Sequence, residues 1–187
     1  MTLFAFDPLA YIQQRHDKLF FGVGGSILRT VGGADYANRF MGYSGAILLQ
    51  AGIGDYPFIF DIRYGVSRIS GVATSHVSGR GSELTEYSIL PALRTYLFWK
   101  HPRVKNYLLL GPLATEARVV SAGLSGETAA DSLEGVRIGV CAGYGFELKV
   151  GDYGFGDLEM AYEYVPSDAF EGGRERLRLN LLLNIGL

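Results

Sequence analysis

The chain has 187 residues, 48% apolar and 19% charged, with a formal net charge of -2. This excludes a disordered segment and a basic nucleic-acid binder, and 26 glycines without a Gly-X-Y period exclude collagen. Mean hydropathy is positive, at +0.15, yet apolar runs such as 45–49 and 181–183 fall far short of the roughly 20 residues of a spanning helix.

The segment from Met1 to Pro8 lacks the basic stretch, long apolar core and small-residue cleavage site of a signal peptide. It fits either a cytosolic chain or a mature sequence carrying an added start Met. Asp7 before Pro8 fits an N-cap followed by proline at the first helical position. That predicts a short helix over 8–16, inside an N-terminal extension of residues 1–17. From 18 to 187 the dominant signal is alternation with a period of two, which a helix cannot produce because its apolar stripe recurs at three and four. The alternation predicts eight strands, at about 18–29, 39–52, 56–70, 83–100, 104–121, 135–150, 152–165 and 173–187. Three connections read as tight turns: Gly52-Ile53-Gly54-Asp55, His101-Pro102-Arg103 and Gly151-Asp152. The other four, around 31–38, 71–82, 122–134 and 166–172, are longer and rich in Gly, Ser, Asp and Ala. Short and long connections alternate throughout, the pattern of an up-and-down meander with one plain and one elaborated end.

The two faces of these strands differ sharply. In the third, Tyr56, Phe58, Phe60, Ile62, Tyr64 and Val66 oppose Asp61, Arg63 and Ser67. In the sixth, Val136, Ile138, Val140, Ala142, Tyr144, Phe146, Leu148 and Val150 oppose Arg137, Gly139, Cys141, Gly143, Gly145, Glu147 and Lys149. In the last, Leu177, Leu179, Leu181, Leu183, Ile185 and Leu187 oppose Arg174, Arg176, Arg178, Asn180 and Asn184, with Leu182 the one apolar intruder. A soluble lipocalin-like barrel turns its apolar face inward; a membrane barrel turns it outward.

Three features choose the membrane barrel. The polar face is rich in arginine, 13 Arg against 4 Lys in the chain, and Gly139, Gly143 and Gly145 leave room for long side chains in a narrow lumen. Its charges nearly balance: Asp61, Glu86, Glu116, Glu147, Asp157, Glu159 and Glu163 against Arg63, Arg94, Arg118, Arg137, Lys149, Arg174, Arg176 and Arg178. Desolvated charges need such partners, whereas a wet surface does not. The apolar face carries aromatics toward both strand ends: Tyr56, Phe58, Trp99, Tyr107 and Phe155 near the short turns, and Tyr64, Tyr87, Tyr162 and Tyr164 near the long loops. Two aromatic girdles match the two interfaces of a bilayer. The expected fold is an all-β, eight-stranded antiparallel up-and-down transmembrane barrel over residues 18–187.

In these features the chain resembles the small eight-stranded outer-membrane β-barrels of Gram-negative bacteria, the OmpA/OmpX-like class. The final stretch, Arg178 to Leu187, is similar to the C-terminal signal that the barrel-assembly machinery reads, with Leu187 where such proteins mostly have Phe. The resemblance implies the bacterial outer membrane and contact with its lipids and lipopolysaccharide. It also implies engagement of the assembly machinery during biogenesis, and a protein partner reached through the long loops.

The candidate chemistry is sparse. The lumen charges read either as a polar path or as a closed plug, and an eight-stranded barrel is barely wide enough for its own side chains, which favours the plug. The expected pairs join Glu147, Asp157, Glu159 and Glu163 to Arg137, Arg174, Arg176 or Arg178. Ser75-His76-Val77-Ser78, with Glu83 and Glu86 beyond it, holds the residue types of a hydrolase triad. His76, Ser78 and Glu86 are similar to the His-x-Ser element and Glu of outer-membrane lipid A deacylases. The residues that follow the serine in that family are absent, however, and the element lies on an early loop, so no catalytic residue is assigned. Pro91 and Pro112 stand eleven and ten residues from Pro102 on neighbouring strands. Proline breaks a ladder, so the pair predicts a bulge, a lumen side chain filling the site, or an open seam of the kind that outer-membrane palmitoyltransferases use for lipid entry. His16 and His101 are isolated, and the single cysteine, Cys141, excludes an intrachain disulfide and a thiolate zinc site. The glycines from Gly22 to Gly25 lack the Lys-Ser/Thr of a phosphate loop and read as lumen packing. No metal or cofactor is expected. The sequence therefore reads as a structural or interaction scaffold with surface loops and a salt-bridged, largely closed lumen. A lipid A-modifying enzyme (deacylase or acyltransferase) and a small channel are the alternatives.

Overall fold

The computed structural model describes residues 19–32, 43–70, 82–97, 100, 103–122, 128–132, 136–150, 154–166 and 173–187. The elements are β1 (Phe20–Gly32), β2 (Tyr43–Asp55), β3 (Phe58–Ser70), β4 (Ser82–Tyr96), β5 (Val104–Ala122), β6 (Thr128–Ser132), β7 (Arg137–Val150), β8 (Gly154–Val165) and β9 (Arg174–Gly186). Each strand pairs antiparallel with its neighbours in the order β4-β3-β2-β1-β9-β8-β7-β5, and β4 pairs with β5 to close the ring. Closure leaves no sheet edge, the condition for crossing hydrocarbon with strands.

Eight strands make the wall, within a few residues of their expected bounds. The ninth, β6, falls where only a loop was expected. It pairs with the outer end of β5, from Arg118↔Ser132 to Ala122↔Thr128, and takes no part in closure. Its sequence, Thr-Ala-Ala-Asp-Ser, has no apolar alternation by which to recognise it. The first tight turn also moves. β2 runs on through Asp55, and the chain reverses at Tyr56–Pro57 between the paired Asp55 and Phe58. Gly52, expected in the turn, serves packing instead: a Cβ there would lie 2.2 Å from Cζ of Phe20. The expected helix over 8–16, His101, Pro102, Gly151 and Asp152 lie outside the described residues.

The apolar face points out. Leu181 and Leu183 are each 60% exposed and Ile185 is 62% exposed, while Arg176, Arg178, Asn180 and Asn184 between them are buried. The same phase holds around the barrel, with Val23, Ile47, Ile62, Leu93, Leu110, Val140 and Met160 all exposed. A wall of this kind is stable only against hydrocarbon, because each exposed aliphatic side chain would otherwise cost about 1.5–3 kcal/mol of burial it never gains. This removes the lipocalin-like alternative.

The girdles follow the expectation at one end only. Tyr64, Tyr162 and Tyr164 are exposed near the long connections. At the other end Phe58 faces out, but Tyr56, Tyr107 and Phe155 are buried inside, and Trp99 lies outside the described residues. The outward aromatics there are Phe21, Phe58, Phe60 and Phe146. In β5 both faces carry apolar residues, so alternation does not reveal its phase. Lys105, Tyr107, Leu109, Leu113 and Thr115 point inward, and Glu116, expected in the lumen, is on the outward face.

Leu181 lies near the middle of β9. Leu181→Arg should cost ~2–4 kcal/mol of folding free energy in a bilayer, as arginine does at the midplane of such a wall. Reversible urea unfolding in lipid vesicles measures it, and an unchanged midpoint would contradict the lipid-facing assignment.

Candidate functional site

The polar side chains of the lumen form two tiers. The tier nearer the short turns centres on Arg94 of β4. Its Nε donates to Oδ2 of Asp61 at 2.5 Å, and its Nη1 donates to Oδ2 of Asp157 at 2.7 Å. The guanidinium lies 4.7 Å from the ring centre of Tyr107. Arg63 grips Glu159 through both carboxylate oxygens, at 2.6 and 2.9 Å, the fork geometry that makes arginine a strong partner. Tyr107 Oη donates to Glu159 at 3.0 Å, and Asn180 Nδ2 donates to the same carboxylate at 2.8 Å; Gln50 donates to Asp61, and Asn184 to Asp157. Below, the phenols of Tyr56 and Tyr96 each donate to Glu147 at 2.6 Å, and Lys105 Nζ stands 3.8 Å from the same carboxylate. Phe20 and Phe155, in edge contact with ring centroids 5.4 Å apart, belong to the same buried cluster.

The outer tier is built from three arginines of β9. Glu86 holds Arg174, and holds Arg176 at 2.7 Å. Glu163 holds Arg176 at 2.8 Å and Arg178 at 3.0 Å. Thr115 Oγ1 accepts from Arg174 at 2.8 Å. Among the described residues, six acids are buried with six bases: Asp61, Glu86, Glu147, Asp157, Glu159 and Glu163 with Arg63, Arg94, Lys105, Arg174, Arg176 and Arg178. The pairs cross the lumen. β3 and β8 stand diametrically opposite in the ring, as do β4 and β9, so Arg63–Glu159 and Arg174–Glu86 span its width.

The lumen thus brings together most of the expected charges. Glu163 pairs with two of the arginines proposed for it, while Glu159 and Asp157 choose Arg63 and Arg94 from across the barrel. Arg137 and Lys149 are inward and half-buried. The side chain of Arg118 lies outside the described residues. Gln50, Tyr56, Tyr96, Lys105 and Tyr107 were not anticipated as partners. The parity of Lys105 is the signal for two of them: a lysine in an apolar strand marks the lumen side and carries Tyr107 with it. The inner glycines make room differently from expectation, since a Cβ on Gly145 would lie 2.5 Å from the Tyr107 ring. The space goes to a tyrosine of β5.

Of the triad types, His76, Ser78 and Glu83's side chain lie outside the described residues. Glu86 faces the lumen, 1% exposed and held by Arg174 and Arg176, so it is committed to the plug. At the prolines, the β4–β5 ladder stops after Ile89↔Ala114 and resumes at Leu93↔Leu110 in unchanged register. That register sets Pro91 opposite Pro112. No bulge has formed, since a bulge would shift the register. No polar lumen side chain fills the site either, because Leu90, Ala92 and Leu113 line it from within. The strands stay close: a Cβ on Gly111 would lie 2.1 Å from the carbonyl oxygen of Pro91.

Arg94→Met should destabilise the barrel by about 3–5 kcal/mol, because Asp61 and Asp157 would keep buried charges without their shared partner. Adding Asp61→Asn and Asp157→Asn should recover much of the loss. Denaturant unfolding in lipid reports both, and equal stability of Arg94→Met and wild type would refute the plug as a coupled unit.

No family model and no curated protein matches the chain. Among solved structures it is similar to Neisserial surface protein A, at 14% identity over 89% of this chain and 96% of that one, with a TM-score of 0.67. It is similar to OprG of Pseudomonas aeruginosa, at 9% identity over 92% and 94%, with a TM-score of 0.61. Ail, the attachment invasion locus protein of Yersinia pestis, solved with the heparin analogue sucrose octasulfate, gives 12% identity over 92% and 99% and a TM-score of 0.58. The shared feature is the fold. Joined to a wall that only hydrocarbon can cover and a lumen closed by its own ion pairs, it gives this chain the fold of the eight-stranded outer-membrane β-barrels.

Proposed function

We propose that this protein is an outer-membrane scaffold that works through its wall and its long connections, not through its lumen. The observation that carries this reading is the set of ion pairs spanning the barrel, Arg63–Glu159, Arg94–Asp157 and Arg174–Glu86. A solute or ion crossing the barrel would have to break them, and each broken pair leaves buried charge behind.

The partners proposed from this reading are outer-membrane lipids and lipopolysaccharide, with a protein partner met by the long connections and the assembly machinery engaging β9 during biogenesis. The outer rim supports a phosphate-bearing lipid. Arg29 of β1 and Arg68 of β3 are exposed on the outward face near the long connections, and the Arg29 guanidinium lies 5.6 Å from the ring centre of Tyr43. An arginine at headgroup level is a strong donor to lipid phosphate. The lipid A-modifying alternative loses Glu86 to the plug, and the small channel is opposed by the same ion pairs.

Two measurements test the reading. Planar-bilayer recordings should show no steady conductance, and large sustained steps would overturn the closed lumen. Lipopolysaccharide in the outer leaflet should raise resistance to unfolding relative to phosphatidylcholine, and Arg29→Gln with Arg68→Gln should remove that gain. Equal resistance in both lipids would remove the rim arginines from the reading.

A further inference from the structure

The outer wall carries a crevice just above the proline seam, lined by Tyr64, Tyr87, Ile89, Ala114, Glu116 and Val136. The strand registers explain it. Tyr64 of β3 stands beside Ile89 of β4, Ile89 beside Ala114 of β5, and Ala114 beside Ile138 of β7. In this row of large outward side chains Ala114 is the small one, and its methyl forms the floor. One row outward, Tyr87 stands beside Glu116. A carboxylate on the outward face of a membrane barrel must reach the headgroup layer, so Glu116 marks that level. The crevice below it, lined by aliphatic and aromatic carbon, opens at the top of the hydrocarbon. Inward along the same two strands lie the opposed prolines, where the ladder lapses over three successive pairs and apolar residues back the wall.

We propose that this crevice is a binding site for one acyl chain of lipopolysaccharide, with the Glu116 carboxylate accepting from the donors at the top of that chain. The crevice is continuous with the lipid-facing wall, so its solvent is hydrocarbon and its occupant a chain. Its position at the long-connection end selects the outer leaflet. Lipid A chains are distinguished from phospholipid chains by an amide N–H and a 3-hydroxyl beside the sugar, both hydrogen-bond donors. A carboxylate and a tyrosine row at the mouth complement those donors, whereas phosphatidylcholine, with ester and phosphate oxygens and no N–H or O–H, offers acceptors only. Inward of the crevice, Leu93 and Leu110 carry the exposed apolar wall on past the prolines, so a seated chain continues over carbon. This deepens the scaffold reading by naming a lipid site on the wall, on a different sector from Arg29 and Arg68.

The test is native mass spectrometry of the full chain released from phosphatidylcholine nanodiscs doped with lipid A. Wild type should retain a single lipid A in preference to phosphatidylcholine. Ala114→Trp, which fills the floor, should lower retention about tenfold, roughly the worth of one well-packed contact, while Leu181→Trp on another sector should not. Glu116→Leu should keep a bound lipid but lose the preference for lipid A, and it keeps the test open should Ala114→Trp fail to fold. Equal retention of both lipids by wild type, unaltered retention in Ala114→Trp, or an intact preference in Glu116→Leu would each overturn the proposal. Those results would leave the scaffold reading standing, whereas steady conductance would fail the scaffold reading and leave this site untouched.

Discussion

The guanidinium of Arg94, bridging Asp61 and Asp157 with no exposure of any of the three, is the interaction on which the interior depends. In hydrocarbon every backbone donor and acceptor needs a partner within the protein, and a closed sheet is the way strands supply it. Closing eight strands leaves a lumen with room for side chains and little else. Charges placed there have lost their water and must find each other. Arg63 meets Glu159, the β9 arginines meet Glu86 and Glu163, and the ring is braced across its width as well as around its circumference.

This bracing compensates for the one weak line in the wall. Between Ile89 and Leu93 the β4–β5 ladder is missing. Above the gap, Glu86 on β4 and Thr115 on β5 are both tied to Arg174 of β9. Below it, Arg94 of β4 is tied to Asp157 of β8 and lies over the ring of Tyr107 from β5. The seam is thus clamped at both ends from the far side of the barrel. Its backbones remain in close approach at Gly111, where no side chain could be accommodated. Ladder and plug act as one system, and the plug carries most where the ladder carries least.

The same division assigns the work of the molecule. The interior is spent on closure, with acids and bases balanced and held by tyrosine and amide donors. What remains for recognition is the wall and its outer rim, where arginines, tyrosines and the glutamates Glu116 and Glu175 stand among aliphatic carbon. Chemistry at that level is chemistry with lipids and with whatever the long connections meet.

The alternation in β3, β7 and β9 is enough to establish membrane-spanning strands and which face meets lipid, because a side chain that points to lipid and one that points to the lumen obey opposite solubility rules; β6, which has no alternation, escapes it. β9 shows this best: its leucines and its arginines never exchange faces, apart from Leu182, which is buried in the lumen. Where both faces are apolar the rule is silent. That is why alternation does not give the phase of β5, where Tyr107 faces the lumen and Glu116 faces out. The opposed prolines were legible as a fault in the ladder from their spacing alone. That the fault is neither a bulge nor an opening rests on the register of β4 against β5, which no local pattern contains. The pairing of particular acids with particular bases was likewise beyond the sequence. Periodicity says that a residue faces the lumen, whereas the stagger of the closed sheet sets its height. Only height brings Arg63 to Glu159, 96 residues away along the chain and directly across the barrel.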